Sequence, residues 1–530
     1  MYRDLDALTS HTFDLLVVGG GIHGLMAAWD ASMRGLRVAL VERHDFGGRA
    51  SFHHHRTLHG GLRYLQSGNI ARLRTSVRER RTWAHIAPHL IERQAFAIEA
   101  GTSRGKPATL LRLGFALDAV LTADRNRDLI GDLRLPPGRI DTDGRHDTGD
   151  LLDDTGPLAV WHDYRTAHAE RLTLGVGINA VRAGACLANY VDAIEPIRDG
   201  RKVVGIAARD LVHGHPLTIS ARVVLNATGA EGGRMMAAFG VRRAPPLVKA
   251  MNIVTTRPAP ALACGASTSD GRLLFAVPVQ GRLSIGTWHG PRPCGADAWL
   301  VTGEELDAFL ADVNQAFPSL HLGLDDIALV HRGVVPARVR GGRVQLADSP
   351  VLREHRHDGV DGAITLMGVK YTTARALAEQ AVTLVTAQLG RHAPPQTASR
   401  PLPGFNPTGV APPVGGFDDE CWGHLQRCYG DQAPRVAGLA TANPMLAERL
   451  TPRLPVTGVQ VVEAIRNEMA LSLEDVVLRR TGLGSAGYPG DEAIVRVEAI
   501  ARDELGWNSA RVRDEVQGLK EFYLPVHVAD

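Results

Sequence analysis

Three glycines near the start of the chain have the spacing of a turn that binds the phosphates of a dinucleotide. Gly19, Gly21 and Gly24 lie between an apolar run and a run of small residues, and a second apolar run ends at Glu42, 18 residues after Gly24. In a strand–turn–helix–strand unit, these glycines make the tight turn, let the backbone approach the pyrophosphate and let helix and strand pack closely. The free N–H groups at the helix start bind phosphate, and Glu42 can accept hydrogen bonds from ribose hydroxyls. The pattern predicts a dinucleotide site but does not separate FAD from NAD.

Two later segments predict further turns at the same cofactor. A β-favouring apolar run enters residues 226–229 (Asn-Ala-Thr-Gly), and another enters Gly368, after which a helix runs to about residue 389. A glycine-rich loop, residues 44–51, follows Glu42 and can return to the pyrophosphate. These segments are expected to surround one nucleotide.

Composition excludes several classes of partner. The formal net charge is +2, so there is no electrostatic case for binding nucleic acid. The cysteines have no CxxC spacing, which argues for a reducing compartment and against a disulfide framework or a zinc site. No apolar run is long enough to span a bilayer, and no signal peptide is recognisable. We expect a cytoplasmic protein, with peripheral contact at the inner face of the cytoplasmic membrane left open. The cysteines are Cys186, Cys264, Cys294, Cys421 and Cys428.

Three adjacent histidines, His53, His54 and His55, resemble a metal cluster. Consecutive side chains cannot all face one ion, so we interpret them as loop or surface residues. No metal site is predicted.

Two segments have alternative interpretations at a membrane. Residues 69–83 predict a helix with five arginines, for which a solvated face is the ordinary interpretation and contact with anionic lipid the alternative. Residues 110–121 predict a short apolar helix, which is either packed in the core or lies at a membrane interface. The arginines are Arg72, Arg74, Arg78, Arg80 and Arg81.

The second half of the chain divides into a strand-rich and a helical part. Short β-favouring runs predict a mostly antiparallel sheet. Seven prolines and four glycines lie within residues 392–416, which indicates a linker. Apolar residues at spacings of three and four beyond residue 418 predict a helical domain. The predicted strands cover residues 251–255, 273–279, 283–286 and 343–346.

Four motifs in this order resemble those of one family. They are the glycine turn with Glu42, HGGLRYL at residues 59–65, residues 226–229, and GVKYTTAR at residues 368–375. Residues 463–481 (EAIRNEMALSLEDVVLRRT) also resemble the helical domain of that family closely. On these residues the chain is identified as a member of the FAD-dependent glycerol-3-phosphate dehydrogenase family.

The resemblance implies a mixed α/β fold with FAD as cofactor. A glutathione-reductase-like Rossmann domain would bind FAD, an antiparallel β domain would cover the flavin ring, and a helical domain would follow. The implied divisions are 1–90, 150–244 and 346–390 for the FAD-binding domain, 91–149 and 245–345 for the substrate domain, 391–416 for the linker, and 417–530 for the helical domain.

The resemblance also implies a reaction and its partners. The family oxidises a secondary alcohol beside a phosphate to a ketone, with hydride passing to flavin N5. The electrons then go to a membrane quinone or to O2. Family members lie on the membrane surface by apolar and basic elements, and assembly as a homodimer is an option.

Carried over residue by residue, the family's site falls on two sets of positions. Arg63 and Lys370 match positions that contact the substrate anion, and Tyr64 matches a neighbour. Cationic donors suit that task because they form charge-assisted hydrogen bonds with phosphate oxygens. The alternative is that Arg63 pairs with an internal carboxylate, and Arg375 can take either role. The positions assigned to cofactor binding are Gly19, Gly21, Gly24, Glu42, Arg43, Ser51, His59, Gly60, Gly61, Thr228, Gly229, Gly368, Lys370 and Thr372.

The chain departs from the family pattern at three places. Val335 stands where the family has a substrate-binding arginine, and Asn252 stands where it has histidine. Residues 286–289 read Gly-Thr-Trp-His instead of Gly-Thr-Thr-Asp. Loss of a guanidinium from a buried anion site costs about 2–5 kcal/mol, so we expect Arg332 or Arg338 to substitute. Trp288 is expected to reshape the pocket, and His289 is a possible base because its ordinary pKa is near neutral. Arg332 and Asn252 are therefore added to the predicted substrate contacts.

Two alternative functions remain open at this point. One is an amino- or hydroxy-acid oxidase in which Arg63 binds a carboxylate. The other is a flavoprotein that does not turn over glycerol phosphate, for which Val335 is the main reason. Glycerol 3-phosphate or a related anionic alcohol is the favoured substrate.

Overall fold

The computed structural model describes residues 1–101, 106–142, 147–153, 156–166, 168–242, 244–405 and 416–526. The strands are β1 (Thr12–Val18), β2 (Val38–Val41), β3 (Thr57–Leu58), β4 (Ile91–Glu99), β5 (Arg139–Asp141), β6 (Leu158–Thr166), β7 (Cys186–Ala188), β8 (Val191–Asp199), β9 (Lys202–Asp210), β10 (Pro216–Asn226), β11 (Leu247–Pro258), β12 (Ala263–Ser267), β13 (Leu273–Val279), β14 (Arg282–His289), β15 (Ile327–Arg340), β16 (Arg343–Leu346), β17 (Val351–Glu354), β18 (Ala363–Met367), β19 (Arg449–Thr451) and β20 (Leu454–Thr457). The helices are α1 (Leu5–Ser10), α2 (Ile22–Met33), α3 (Ile70–Ile86), α4 (Ala108–Leu121), α5 (Ala169–Arg182), α6 (Gly232–Ala238), α7 (Gly303–Ala316), α8 (Ala374–Gln388), α9 (Asp419–Tyr429), α10 (Ala433–Ala437), α11 (Gly458–Asn467), α12 (Asp491–Leu505) and α13 (Ser509–Phe522).

The first sheet carries the predicted cofactor turns. Its main strand order is β17-β18-β10-β1-β2-β7, and β1, β2, β7, β10 and β18 pair in parallel. β1 is buried at all but its first residue, as expected for a central parallel strand with both faces covered. The carboxyl ends of β18, β10 and β1 are neighbours, so the turns that follow them lie at one edge, where ligands of open α/β sheets bind.

The second sheet faces this edge with a mostly antiparallel surface. Its order is β16-β15-β11-β14-β13-β12-β4-β6-β3, with β5 beside β6. The four strands predicted from residues 251–346 are confirmed as β11, β13, β14 and β16. α7 covers one face, where Leu306, Phe309 and Val313 join a cluster with Ile253 and Ile285.

Two predicted spans differ from the sheet assignments. The span 1–90, assigned from sequence to the cofactor domain, contributes β3 to the second sheet, where it pairs with β6. The span 150–244, assigned from sequence to the cofactor domain, contributes β6 to the second sheet before it reaches β7 of the first. The reason is that β6 pairs along its whole length with β4. Residues 391–405 of the predicted linker have irregular backbone, and Leu402 N–H donates to Ile86 O (2.7 Å); residues 406–415 lie outside the described part.

The C-terminal part is helical, as predicted, with one small hairpin of β19 and β20. A π-helix, Asp475–Arg480, ties it to the first domain, because Arg479 and Arg480 both pair with the buried Asp45. Among the described residues, no helix has the length and apolar character needed to cross a membrane.

Candidate active site

The glycine turn after β1 is so tightly packed that side chains do not fit. Gly19 has a φ of +108°, and a Cβ built on it would lie 2.6 Å from the carbonyl oxygen of Ala227. A Cβ on Gly24 would lie 1.9 Å from the carbonyl oxygen of Gly19. Gly21 differs, since its Cβ would meet only the hydroxyl oxygen of Ser51, at 3.3 Å. The turn therefore offers the bare backbone that a pyrophosphate requires at a helix N-terminus.

Side chains hold the N–H groups of this turn. Gly20 N–H donates to Glu42 Oε2 (2.5 Å), and Ile22 N–H donates to Ser51 Oγ (2.9 Å). Burial raises the pKa of the Glu42 carboxyl, although the N–H groups of His44 and Gly20 partly oppose this effect. The residues fit FAD: the glycine backbone at the start of α2 suits its pyrophosphate, and Glu42 suits a ribose. Ser51 lies where the sequence predicted, on the loop that returns to the turn.

The turns after β10 and β18 complete the cradle. Thr228 Oγ1 donates to Asn226 Oδ1 (2.7 Å), and Gly229 has a φ of +60°. Trp83 Nε1 donates to the carbonyl oxygen of Thr372 (3.0 Å), which fixes the segment after Gly368.

His23 belongs to this cradle and was missed from sequence. A Cβ on Gly368 would lie 1.8 Å from His23 Nε2, and this nitrogen is buried with no hydrogen-bond partner among the described residues. Burial lowers the pKa of His23 to about 4, so the imidazole is neutral. The sequence could have indicated this residue, because His23 comes two residues after Gly21, in the first turn of the helix that faces the cofactor.

The HGG turn is held in place by a buried carboxylate. Gly60 N–H donates to Asp163 Oδ1 (2.7 Å), His59 Nδ1 lies 3.2 Å from Asp163 Oδ2, and Arg80 pairs with the same group. Burial alone would raise the pKa of Asp163, but the Arg80 charge and the bonds from His59 and Gly60 outweigh it and lower the pKa. Gly61 follows with a φ of +85°. Asp163, on β6, was not recognised from sequence because nothing near it in the chain marks its role.

Arg63, Tyr64 and Lys370 come together from two distant segments. Arg63 and Tyr64 lie on a 3-10 helix, Leu62–Ser67, and Lys370 Nζ lies 4.2 Å from the centroid of the Tyr64 ring. Desolvation, and then the Arg63 charge, lowers the pKa of Lys370 to about 8, although part of its side chain is open to solvent. Within the described part of the chain, neither cation pairs with a carboxylate. The alternative prediction, that Arg63 pairs with an internal carboxylate, is thus wrong for the described residues.

The face of the second sheet near this cluster is occupied by the histidine loop. Asn252 Nδ2 donates to His53 O (3.1 Å), and Thr287 Oγ1 donates to Asn252 Oδ1 (2.7 Å). The Nδ1 atoms of His53 and His331 are 3.3 Å apart, and burial is the main cause that lowers the pKa of both. The Asn252 amide therefore positions the loop through one N–H and one oxygen lone pair, and its contact with a substrate stays a prediction.

His53–His55 lie in a loop, as predicted, but they are not surface residues. His53 is buried, His54 stacks on Tyr371 with ring centroids 4.3 Å apart, and His55 Nε2 lies 3.2 Å from Ser284 O. Because the three side chains point to different partners, they do not form a metal cluster.

The predicted effect of Trp288 on the pocket is also wrong. Trp288 pairs with Met251 across the sheet and packs in the cluster beneath α7, with its ring centroid 6.4 Å from that of Phe309. His289 leaves β14 on the opposite face, beside Ala250, where its Nδ1 lies 3.3 Å from Gly290 O. His289 remains on the side of Asn252 and keeps its predicted role as a candidate base.

The structure does not support the predicted role of Arg332. Val335 lies on the same face as His331, so Arg332 points to the other face of β15. There its guanidinium lies 5.1 Å from Trp299 and 5.4 Å from Phe522, and Nη2 donates to Phe522 O (3.3 Å). Burial lowers its pKa to about 10. Arg338 is exposed and pairs with Asp348, so neither arginine replaces the missing guanidinium.

Two other predicted residues have partners outside the cluster. Arg43 is exposed, 3.8 Å from Asp192 Oδ1, so its contact with a cofactor stays a prediction. Arg375 is buried and forms two 2.8 Å bonds with Glu79, which joins α8 to α3. Arg375 was predicted either to contact the substrate anion or to pair with an internal carboxylate, and in the structure it pairs with Glu79.

The site can bind a nucleotide along the edge of the first sheet where β18, β10 and β1 end, and an anion beside the turn at Gly368. The glycine cradle and Glu42 provide the nucleotide part, and Arg63 with Lys370 provides unpaired positive charge. The second sheet closes the space above.

Two family models match the chain. One, described as FAD dependent oxidoreductase, covers residues 14–384, and the other, described as the C-terminal domain of alpha-glycerophosphate oxidase, covers residues 363–512.

Individual proteins match over nearly the whole length. Glycerol-3-phosphate dehydrogenase of Synechocystis sp. is 30% identical over 98% of both chains, and glycerol-3-phosphate dehydrogenase 1 of Mycobacterium tuberculosis is 32% identical over 95% of this chain and 96% of that protein. The X-ray structure of glycerol-3-phosphate dehydrogenase from Bacillus halodurans complexed with FAD superposes with a TM-score of 0.75 at 24% identity, covering 99% of this chain and 98% of that one.

Proposed function

The chain belongs to the FAD-dependent glycerol-3-phosphate dehydrogenase family, and we propose that it oxidises glycerol 3-phosphate, or a related phosphorylated or anionic alcohol, to the ketone. It is an FAD-dependent oxidoreductase. When bound, FAD supplies the hydride acceptor, at flavin N5. Everything else in the reaction is the work of this chain's own residues: they bind the anion, orient the carbinol and take the hydroxyl proton.

The observation that carries the proposal is the cluster of Arg63, Tyr64 and Lys370. Two cations that have no carboxylate partner among the described residues lie together beside the Gly368 turn, and the Lys370 ammonium lies 4.2 Å from the Tyr64 ring centroid. Both side chains are exposed, so their charges can meet an anion that arrives from solvent. A phosphate group offers several oxygens to both donors, through charge-assisted hydrogen bonds.

The residues on the substrate side of the site support a substrate related to glycerol 3-phosphate within the class of anionic alcohols. Val335 packs against Val248, Ala337 and Val344, so no guanidinium reaches the pocket from this position. Asn252 is held by Thr287 and His53. With fewer donors, the pocket should bind phosphate less tightly than a site with the additional arginine. His289 is the proposed proton acceptor on this face.

Anaerobic addition of substrate to the purified yellow protein tests the proposal. Glycerol 3-phosphate should bleach the visible flavin band, whereas glycerol, which lacks the anion, should not. Bleaching only by amino or 2-hydroxy acids would favour an oxidase in which Arg63 binds a carboxylate. No bleaching by any of these compounds would overturn the proposed oxidation. Comparison of a soluble quinone with O2 as oxidant of the reduced protein then identifies the acceptor.

A lipid surface is the proposed location of the quinone. α4 exposes Leu113 and Val120 by 67% and 75%, and Leu110 and Leu117 by about half, while Phe115 is buried. Of the two roles left open for this helix, the exposed apolar side chains favour the membrane interface. The arginines of α3 add little free charge: Arg74 and Arg81 pair with Asp124, Arg72 pairs with Asp348, and Arg80 is buried against Asp163. Contact would therefore be mainly apolar.

Sedimentation with vesicles tests this contact. The double variant Leu113→Ser with Val120→Ser should release the protein from the vesicles. Val495→Ser is the matched control, because Val495 is 60% exposed on α12. Equal binding of both variants would exclude α4 as the contact.

A further inference from the structure

Two histidines and a cysteine meet at the junction between the cofactor domain and the C-terminal helices. His168 immediately precedes α5, while His424 and Cys428 lie four residues apart on α9 and so share one helix face. All three are buried, and one ligand atom from each lies within 4.8 Å of the others. The sequence argued against a zinc site because no CxxC is present, but that argument does not cover ligands from separate segments.

The hydrogen bonds of this cluster leave metal-binding atoms without settled partners. His168 Nδ1 is buried and makes no hydrogen bond with any described residue, and Glu170 Oε1 lies 3.7 Å from it. His424 Nε2 lies 3.6 Å from Cys428 Sγ and 3.3 Å from Gln460 Nε2.

Gln460 cannot turn its acceptor towards His424. Its Oε1 already accepts from Thr457 N–H (3.2 Å), so Nε2 must face the imidazole as a donor. Two donors, the amide and the thiol, thus share a single lone pair on His424 Nε2. One of them is poorly bonded in the metal-free arrangement.

We propose that His168, His424 and Cys428 bind a zinc ion that links α5 to α9. Imidazole nitrogen and thiolate sulfur are the ligands that Zn²⁺ prefers, and it takes four in a tetrahedral arrangement. Water or the Glu170 carboxylate completes the set. On binding, the Cys428 thiol gives its proton to solvent, and the metal takes the lone pair on His424 Nε2 for which the thiol and the Gln460 amide compete. The site has no residue in common with the flavin cradle, so its role is structural.

The test is the metal content of the full-length holoprotein after gel filtration in metal-free buffer. Mass spectrometry of the elements should find about one zinc per chain, in line with a single set of ligands. Cys428→Ser and His424→Gln should reduce the zinc to the level of the buffer. Cys421→Ser is the matched control, because Cys421 is buried on the same helix but lies against Asp418. This variant should keep its zinc.

Cobalt exchange gives a second measurement on the unmodified protein. A thiolate-bound Co²⁺ should produce a sulfur-to-metal charge-transfer band in the near ultraviolet, and that band should be missing in Cys428→Ser. Wild-type protein that contains no stoichiometric metal and takes up no Co²⁺ with this band would overturn the proposal, whether or not the variants fold. Equal zinc loss in Cys421→Ser and Cys428→Ser would also contradict it.

Discussion

The cofactor half of the site is formed by backbone, whereas the substrate half is formed by side chains. Gly19 and Gly24 stand where a Cβ would lie 2.6 and 1.9 Å from a carbonyl oxygen, so sequence change there is sterically limited. The strands opposite, β11, β14 and β15, carry the positions where the sequence departs from the family pattern, among them Asn252 and Val335. The comparison suggests that the cofactor is fixed by packing, while the choice of alcohol depends on residues that can vary.

The largest expected effect is on the cofactor side. Gly24→Ala would push its Cβ into the carbonyl oxygen of Gly19, and we expect the purified variant to lack bound flavin and all oxidase and dehydrogenase activity. Flavin absorbance per protein measures this, with circular dichroism to confirm folding. Gly438→Ala, where a Cβ would meet nothing within 4 Å, is the matched control. A folded Gly24→Ala variant with full flavin would contradict the steric account.

The next effect sharpens the comparison at the substrate anion. Arg63→Gln removes a charged donor, whose hydrogen bond to an anion contributes about 1.5–3 kcal/mol, so kcat/KM for glycerol 3-phosphate should fall about 10- to 100-fold. Flavin content should not change. Arg513→Gln, at an exposed arginine of α13, serves as the control. If kcat/KM fell equally in both variants, Arg63 would not be the anion contact.

A gain of activity is expected from the opposite change on the second sheet. Val335→Arg adds a guanidinium on the face of Asn252, and kcat/KM for glycerol 3-phosphate should rise about tenfold, equivalent to about 1.4 kcal/mol. Val339→Arg, at a half-exposed position further along β15, should leave it unchanged. Unchanged kinetics in a stably folded Val335→Arg would mean that this position does not reach the substrate.

The smallest effect is a pH dependence of anion binding. Burial and the Arg63 charge lower the pKa of Lys370 to about 8, so the ammonium form that attracts an anion predominates below that pH and is lost as the pH rises above it. We therefore expect kcat/KM to fall by up to tenfold per pH unit above about 8. In Lys370→Arg the fall should disappear, because guanidinium stays protonated. If kcat/KM fell equally with pH in Lys370→Arg, the pH dependence would come from another titrating group.

Local patterns in the sequence were sufficient for most of the framework. The β1–α2–β2 unit, the strands β11, β13, β14 and β16, and the β18–α8 unit were all predicted, because hydrophobic periodicity and glycine turns act over a few residues. The cofactor followed from the same local signals together with the family motifs. Arg63 and Lys370 were identified by their motifs and are indeed brought together.

Only the tertiary structure decided which side chains meet across distant segments. Nothing in the sequence around Asp163 indicates that it holds the HGG turn, and the face to which Arg332 points depends on the register between β11 and β15. His424 and Cys428 are visible as a helical pair, but His168 reaches them only because α9 packs near the start of α5. The physical reason is that chain-local propensity fixes each element, whereas contacts between elements arise from the packing of the whole chain.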